Sequence, residues 1–221
     1  MTPKIIAHRG VTRNDQENTL PAYHQAFSDG ADGLEIDVRL SKDKKPIIFH
    51  DEDTSRLFKK SLEIKNTTFF ELEALGNNEN RIPLLDEVLD FLPQNKECFI
   101  EIKSDANTVP FLDKLKIEKK NITFLSFDKN VVLALKKRFP NKLVFQSFHM
   151  LQIERYGIKK ILEFYTKGNS DGLSIDIRGL SNKTIDKILE KKIDLIIWTL
   201  NSMERLKAVS YTHLRAHETS E

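Results

Sequence analysis

Four pairs of ionisable residues stand at the ends of short apolar runs, and their types suit acid–base, metal and phosphate chemistry. The pairs are His8 with Arg9, Glu35 with Asp37, His50 with Asp51, and Glu101 with Lys103. Taken singly, a histidine at a strand end is more typical of a hydrogen-bonded structural residue, and a Glu-x-Asp pair of an exposed salt-bridging face. Four such pairs at the ends of apolar runs favour one shared site.

The carboxylates predict a metal centre. In Leu34-Glu35-Ile36-Asp37-Val38 the alternation places both acidic side chains on one face of a strand, about 7 Å apart, and Ile100-Glu101-Ile102-Lys103 repeats the arrangement. Clustered carboxylates in a partly dry site persist only if they are protonated, paired or bound to a cation. Oxygen ligands favour one hard divalent ion, Mg²⁺ or Ca²⁺ with Mn²⁺ also suitable, over Zn²⁺. We therefore expect Glu35, Asp37 and Glu101 to be metal ligands.

The histidines and cations predict a phosphate partner. With ordinary pKa values near 6.5, His8 and His50 suit a general base and a general acid at neutral pH. Arg9 offers a planar fork of donors for a phosphate and Lys103 a point charge, while Gly10 would let the backbone approach a ligand. Trp198, at the end of the last apolar run, is typical of a core aromatic or of a residue that lines the mouth of a site.

Alternating strand and helix patterns predict the fold that positions these residues. The predicted strands are eight runs rich in Ile, Val, Leu and Phe: 4–7, 33–38, 46–49, 98–102, 122–125, 143–145, 172–175 and 195–198. Helical patterns separate most of them, at 19–27, 84–92, 129–138 and 182–191. This alternation favours an α/β fold, a (β/α)8 TIM-type barrel whose active site lies at the C-terminal ends of the strands. An open doubly wound sheet is the main alternative.

Two places interrupt the alternation. Only residues 40–45 separate the second and third runs, whereas a helical crossover between parallel strands needs about a dozen residues. The third run is thus either antiparallel or reached by an extended descending segment. Residues 51–81 form a longer polar stretch with one helical piece at Thr68–Leu75, which predicts a short excursion over the barrel mouth.

The motifs together resemble the glycerophosphodiester phosphodiesterase family, within the phospholipase C-like phosphodiesterase superfamily. The matching segments are His8-Arg9-Gly10, Glu17-Asn18-Thr19, Glu35-Ile36-Asp37-Val38, His50-Asp51 and Glu101-Ile102-Lys103. Weaker matches are Ile82–Leu89, Ser126-Phe127 and Trp198-Thr199-Leu200-Asn201. The resemblance covers nearly the whole chain to about residue 207, although Gln16 stands where the family usually has proline.

The resemblance implies a metal-dependent phosphoric diester hydrolase. Glu35, Asp37 and Glu101 match the family's metal ligands. His8 and His50 match its acid–base pair, and Arg9 and Lys103 match its phosphate-holding positions. The reaction it implies cleaves a glycerophosphodiester to sn-glycerol 3-phosphate and an alcohol such as choline, ethanolamine or glycerol. Direct attack by water and initial attack by a glycerol hydroxyl both remain open. The alternatives are a phospholipase that acts on lipid headgroups and a non-catalytic barrel that binds a phosphate ligand.

The end of the sequence departs from the family. A final strand with a G-[IV]-x-T-[DN]-x-P pattern is missing, and residues 209–219 resemble the translation of a sequencing adaptor. We therefore expect one barrel domain at 1–208 without its native final strand, a non-native tail at 209–221 and an open seam beside the first strand. His213 and His217 are accordingly not expected to be ligands.

Composition limits the partners. The 35 basic and 33 acidic residues give a net charge of +2, and the lysines lie in scattered pairs. This distribution does not favour binding to nucleic acid. An apolar stretch of the roughly 18 to 20 residues needed for a membrane span is missing, and so is an export signal. Cys98, the single cysteine, is expected to be a small buried hydrophobe in a reducing compartment. We expect a cytoplasmic protein that takes a small glycerophosphodiester and has no stable membrane association; the oligomeric state stays open.

Overall fold

The structure, a computed structural model, describes residues 4–12, 16–200 and 216–219. Its strands are β1 (Lys4–His8), β2 (Gly33–Leu40), β3 (Pro46–Ile48), β4 (Glu97–Ile102), β5 (Asn121–Ser126), β6 (Leu143–Phe148), β7 (Gly172–Asp176), β8 (Asp194–Trp198) and β9 (Ala216–Thr219). Its α-helices are α1 (Leu20–Ser28), α2 (Phe69–Glu73), α3 (Leu85–Phe91), α4 (Lys129–Arg138), α5 (Met150–Gly168) and α6 (Asn182–Glu190). Short 3₁₀ turns lie at Ile64–Asn66, Ala106–Leu112, Ile117–Lys119 and Ile177–Gly179.

Parallel pairing joins eight of the strands into a closed barrel. The order around it is β1, β2, β4, β5, β6, β7, β8 and β9, and β9 returns to β1. Alternate side chains divide between two cores. Leu34 and Ile100 pack outward with helix residues such as Val88, whereas Phe99 and Phe145 belong to a separate inner cluster. The predicted TIM-type barrel is confirmed.

The third apolar run is not a barrel strand. β3 pairs antiparallel with β2, with Val38 opposite Ile48, which decides between the two alternatives left by the sequence. The excursion that follows has a small core of its own, in which Ile47 and Phe49 pack with Phe69 and Leu72. The predicted helical piece is confirmed as α2, whose first turn is capped by Thr68.

The expected open seam beside β1 is wrong. β9 pairs parallel with β1, with Ile5 opposite His217, and with β8, with Ile197 opposite His217. The reason is that the backbone edges of β1 and β8 accept any extended segment that can reach them, so pairing does not depend on a family motif. That residues 209–221 are a non-native tail stays a prediction.

Two smaller expectations concern burial and membranes. Cys98 is free and fully buried, as expected, and burial raises the pKa of its thiol. Across the part of the chain that the structure describes, every helix is too short or too polar to cross a bilayer.

Candidate active site

The three predicted carboxylates converge from two neighbouring strands, β2 and β4. Glu35, Asp37 and Glu101 each present an oxygen, and these oxygens lie within 4.8 Å of one another. Register explains this, because Asp37 lies opposite Glu101 in the β2–β4 pair and Glu35 precedes Asp37 by one strand period. The residues are only 1%, 0% and 9% exposed, so the negative charges are concentrated in a dry volume.

Two cations balance part of this charge. The Lys103 ammonium lies 3.3 Å from Asp37 Oδ1 and 2.6 Å from Glu101 Oε1, and Arg9 Nε lies 3.0 Å from Asp37 Oδ2. Burial alone would raise the pKa of Asp37, but Lys103 and Arg9 outweigh it and hold that pKa well below its usual range. Burial raises the pKa of Glu101 despite the adjacent Lys103. Three carboxylates therefore face two cations, which leaves the cluster net negative.

The cluster fits a divalent cation. Asp37 Oδ1 and Glu101 Oε1 are both buried, and the single ammonium of Lys103 faces both of them, at 3.3 and 2.6 Å. Buried carboxylate oxygens in this state are stabilised by a positive ion, and an all-oxygen set suits a hard one. The residues present could thus hold one such ion.

The Glu17-Asn18-Thr19 motif supports Asp37 from the loop before α1. Asn18 Nδ2 donates to Asp37 Oδ2 at 2.9 Å, and Asn18 Oδ1 accepts from the buried Tyr23 hydroxyl at 2.9 Å. Thr19 caps α1 by accepting from Ala22 N. Asn18 has φ +60°, a left-handed conformation that asparagine tolerates better than most residues. Sequence reasoning had noted the motif without giving Asn18 a role.

The two histidines differ in their surroundings. His8 Nε2 lies 3.8 Å from Glu35 Oε2, and burial, together with the Arg9 cation, lowers the pKa of His8 to about 4. His50 Nδ1 lies 2.6 Å from Asp51 Oδ1. Burial lowers the pKa of His50 as well, with Asp37 and Asp51 opposing the shift. Both rings are therefore mainly neutral at pH 7 in the absence of ligands.

Arg56 and Glu17 connect the two histidine regions. Asp51 Oδ2 accepts from Arg56 Nε at 2.5 Å, and Glu17 Oε1 accepts from Arg56 Nη2 at 2.5 Å and from Arg9 Nη1 at 3.1 Å. Sequence reasoning missed Arg56, since its partners lie up to 39 residues away. Its position in a polar loop carried no signal by itself.

A cavity of about 410 Å³ opens beside His8 and Arg9. Trp198 lines it and meets Phe127 edge-on at 5.9 Å, and its role at the mouth of a substrate site stays a prediction. Arg178 also lines the cavity, where the buried Asp176 carboxylate accepts from its Nη2 at 2.7 Å. Sequence reasoning did not identify these last two residues.

Gly10 has a packing role that differs from the expected approach to a ligand. Its φ is +85°, and an added Cβ would lie 2.8 Å from the backbone of Ala22 in α1. The glycine thus lets the loop after β1 lie against α1, which places Arg9 and Asn18 around Asp37. His149 caps α5, and its Nε2 lies 3.5 Å from Asp176 Oδ2.

Comparison with known proteins agrees with this geometry. The model of the glycerophosphoryl diester phosphodiesterase family matches residues 8–168. A glycerophosphodiester phosphodiesterase of Bacillus altitudinis is 37% identical over 108 residues, which cover 45% of this chain and 44% of that protein. The chain spans about half the length of the first curated relatives it matches.

Solved structures extend the likeness to the whole barrel. A glycerophosphodiester phosphodiesterase from Thermotoga maritima superposes with a TM-score of 0.83 at 29% identity, over 99% of this chain and 95% of that one. A phosphodiesterase from Oleispira antarctica, solved with the product sn-glycerol-3-phosphate, gives 0.87 at 23% identity over 99% and 93%. At 23% identity, the similarity to this second structure supports the fold alone.

Proposed function

The chain belongs to the glycerophosphoryl diester phosphodiesterase family, and from this premise we propose that it hydrolyses glycerophosphodiesters to sn-glycerol 3-phosphate and an alcohol. One observation carries the proposal: Glu35, Asp37 and Glu101 form a buried acidic cluster in contact with His8, Arg9 and Lys103 at the strand ends. We assign the activity to one barrel domain, residues 1–208.

Glu35, Asp37 and Glu101 would hold one divalent cation, Mg²⁺ or Ca²⁺, with Mn²⁺ as a further fit. When bound, such an ion supplies Lewis-acid polarisation of a phosphoryl oxygen and orients the substrate. The negative balance of the cluster favours this ligand over a further anion. Asn18 donates to Asp37 Oδ2 and so keeps the Asp37 carboxylate in one orientation, with Asp37 Oδ1 facing Lys103.

The two histidines divide the proton transfers. With its pKa lowered to about 4, His8 is unprotonated at neutral pH, so we assign it the general base. His50 is mainly neutral without a ligand, but Asp51 at its Nδ1 and the negative charge of a bound phosphodiester both favour the protonated ring, so we assign His50 the general acid through Nε2. The base would act on water or on a glycerol hydroxyl, and the acid would protonate the leaving alkoxide.

Binding falls to the cations and the aromatic wall. Arg9 lines the cavity beside His8 with its guanidinium held by Asp37 and Glu17, which pre-orients donors for a phosphate. Lys103 adds a second positive charge at the acidic cluster. Trp198 lines the same cavity and would exclude water from the glycerol moiety.

The test is release of sn-glycerol 3-phosphate from glycerophosphocholine and glycerophosphoethanolamine. We expect turnover that EDTA abolishes and added Mg²⁺ or Ca²⁺ restores. His50→Asn should lower kcat by about 100- to 10,000-fold, the usual contribution of acid–base catalysis, and Glu35→Gln should lower activity and raise the metal concentration required. Glu163→Gln, at an exposed pair with Lys160, is the matched control. Unchanged activity in Glu35→Gln would refute the metal role.

A second candidate, hydrolysis of lipid headgroups, is favoured by one exposed aromatic residue. Phe70 of α2 is 79% exposed, whereas its neighbour Phe69 is buried in the excursion core. A single aromatic wedge provides little area for a lipid surface. Lysophosphatidylcholine included in the same assay separates the two: Phe70→Ser should leave turnover of glycerophosphocholine unchanged and lower turnover of lipid if this second candidate is correct.

A further inference from the structure

Arg56 joins two carboxylates that belong to different segments of the barrel mouth. It lies in the excursion between β3 and α2. Its Nε donates to Asp51 Oδ2 at 2.5 Å, and its Nη1 and Nη2 donate to Glu17 at 3.2 and 2.5 Å. We propose that Arg56 is a positioning residue that sets His50 and Arg9 in one geometry, an inference that rests on the proposed function.

The first arm of this bridge acts through Asp51. Its Oδ1 contacts His50 Nδ1 at 2.6 Å, and its Oδ2 is taken by Arg56. With both oxygens engaged, the carboxylate cannot rotate, so the His50 ring keeps Nδ1 toward Asp51. Loss of Arg56 would free one oxygen and allow the pair to turn.

The second arm acts through Glu17. Glu17 Oε1 accepts from both Arg56 and Arg9, and Arg9 Nε in turn faces Asp37 at 3.0 Å. Arg9 has φ +59°, an unfavourable backbone conformation for a residue with a side chain, so surrounding contacts must maintain it. Arg56 contributes to this indirectly, because it binds Glu17, the carboxylate that contacts Arg9.

Exposure separates positioning from a purely structural ion pair. The Arg56 side chain is 46% exposed, and exposed pairs contribute little to stability. Displacement of catalytic groups by about 1 Å, in contrast, can cost roughly 100-fold in rate. Arg138 offers a matched comparison, because it is 55% exposed and its Nε meets Asp113 at the same 2.5 Å without contact to the active-site residues that the structure describes.

The experiment measures kcat and KM for glycerophosphocholine in the wild type, Arg56→Gln, Arg56→Lys and Arg138→Gln. We expect Arg56→Gln to lower kcat by about 10- to 100-fold, as loss of a supporting contact typically does. Its unfolding midpoint should match that of Arg138→Gln, which keeps wild-type activity. Arg56→Lys should recover only part of the loss, because an ammonium cannot bridge both carboxylates.

A chemical rescue protects the test against unfolding of a variant. Non-denaturing concentrations of guanidinium chloride should restore part of the kcat of Arg56→Ala and leave His50→Asn unchanged. Wild-type rates in Arg56→Gln, an equal loss in Arg138→Gln, or absence of rescue would each overturn the positioning role alone. A wild-type chain that releases no sn-glycerol 3-phosphate would overturn the proposed function, and the positioning role with it.

Discussion

At the scale of single residues, Gly10 and Gly30 form a natural pair for testing why the loop after β1 requires glycine. Both have positive φ, +85° and +93°. An added Cβ at Gly10 would lie 2.8 Å from the Ala22 backbone, whereas at Gly30 it would meet nothing within 4 Å among the described residues. Gly30→Ala should therefore cost about 1–2 kcal/mol for the left-handed backbone, and Gly10→Ala about 1–3 kcal/mol more for overpacking.

Urea denaturation of the two variants measures the difference in the free energy of unfolding. Gly10→Ala should also lower activity more than Gly30→Ala, because relief of the clash moves the segment that carries Arg9 and Asn18. Equal stability losses in the two variants would contradict the packing role of Gly10.

The sequence predicted some site residues and missed others for a physical reason. The sequence could predict the residues that lie at the ends of apolar runs, because such an end marks the end of a strand and parallel strands end at one mouth. These residues are His8, Glu35, Asp37, His50 and Glu101. Arg56 and Asn18 lie in loops and contact carboxylates 39 and 19 positions away in the sequence, and loop conformation leaves no periodic pattern in the sequence.

At the scale of elements, the two surprises were β3 and β9. The run 46–49 has the composition of a buried strand because β3 lies between β2 and the core of the excursion. Composition shows burial but does not show direction, so the run could be mistaken for a barrel strand. The sequence did not predict β9, the eighth barrel strand, because its residues resemble a non-native tail. Backbone pairing depends on N–H and C=O groups, which any extended segment supplies.

Closure by β9 predicts a backbone-specific effect at His217. His217→Pro removes one N–H donor from a strand paired on both sides, and should destabilise the chain by about 1–3 kcal/mol. His217→Ala keeps the backbone and is the matched control, with an expected change below about 1 kcal/mol. Thermal unfolding followed by circular dichroism distinguishes them. Equal midpoints for the proline variant and the wild type would show that β9 does not stabilise the barrel.

At the scale of the whole molecule, the acidic cluster exists only when the chain is folded, because it needs β2 and β4 side by side. Glu35 and Asp37 lie on β2, Glu101 lies on β4, and Asp37 and Glu101 are 64 positions apart in the sequence. In the unfolded chain these carboxylates are far apart, so a divalent ion has little to bind there. A ligand that binds only the native state stabilises it by mass action.

Divalent metal should therefore raise the unfolding midpoint of the chain independently of activity. At a free ion concentration of 100 times the dissociation constant, the expected gain is about 2.7 kcal/mol. Glu35→Gln should greatly reduce the gain, because it replaces one of three carboxylates whose oxygens lie within 4.8 Å of one another with a neutral amide, whereas Glu163→Gln, at the exposed pair with Lys160, should retain it. Differential scanning calorimetry with EDTA, Mg²⁺ or Ca²⁺ makes the comparison. A gain of the same size in Glu35→Gln and in the wild type would place the ion elsewhere on the molecule, and the acidic cluster would then be balanced by Arg9 and Lys103 alone.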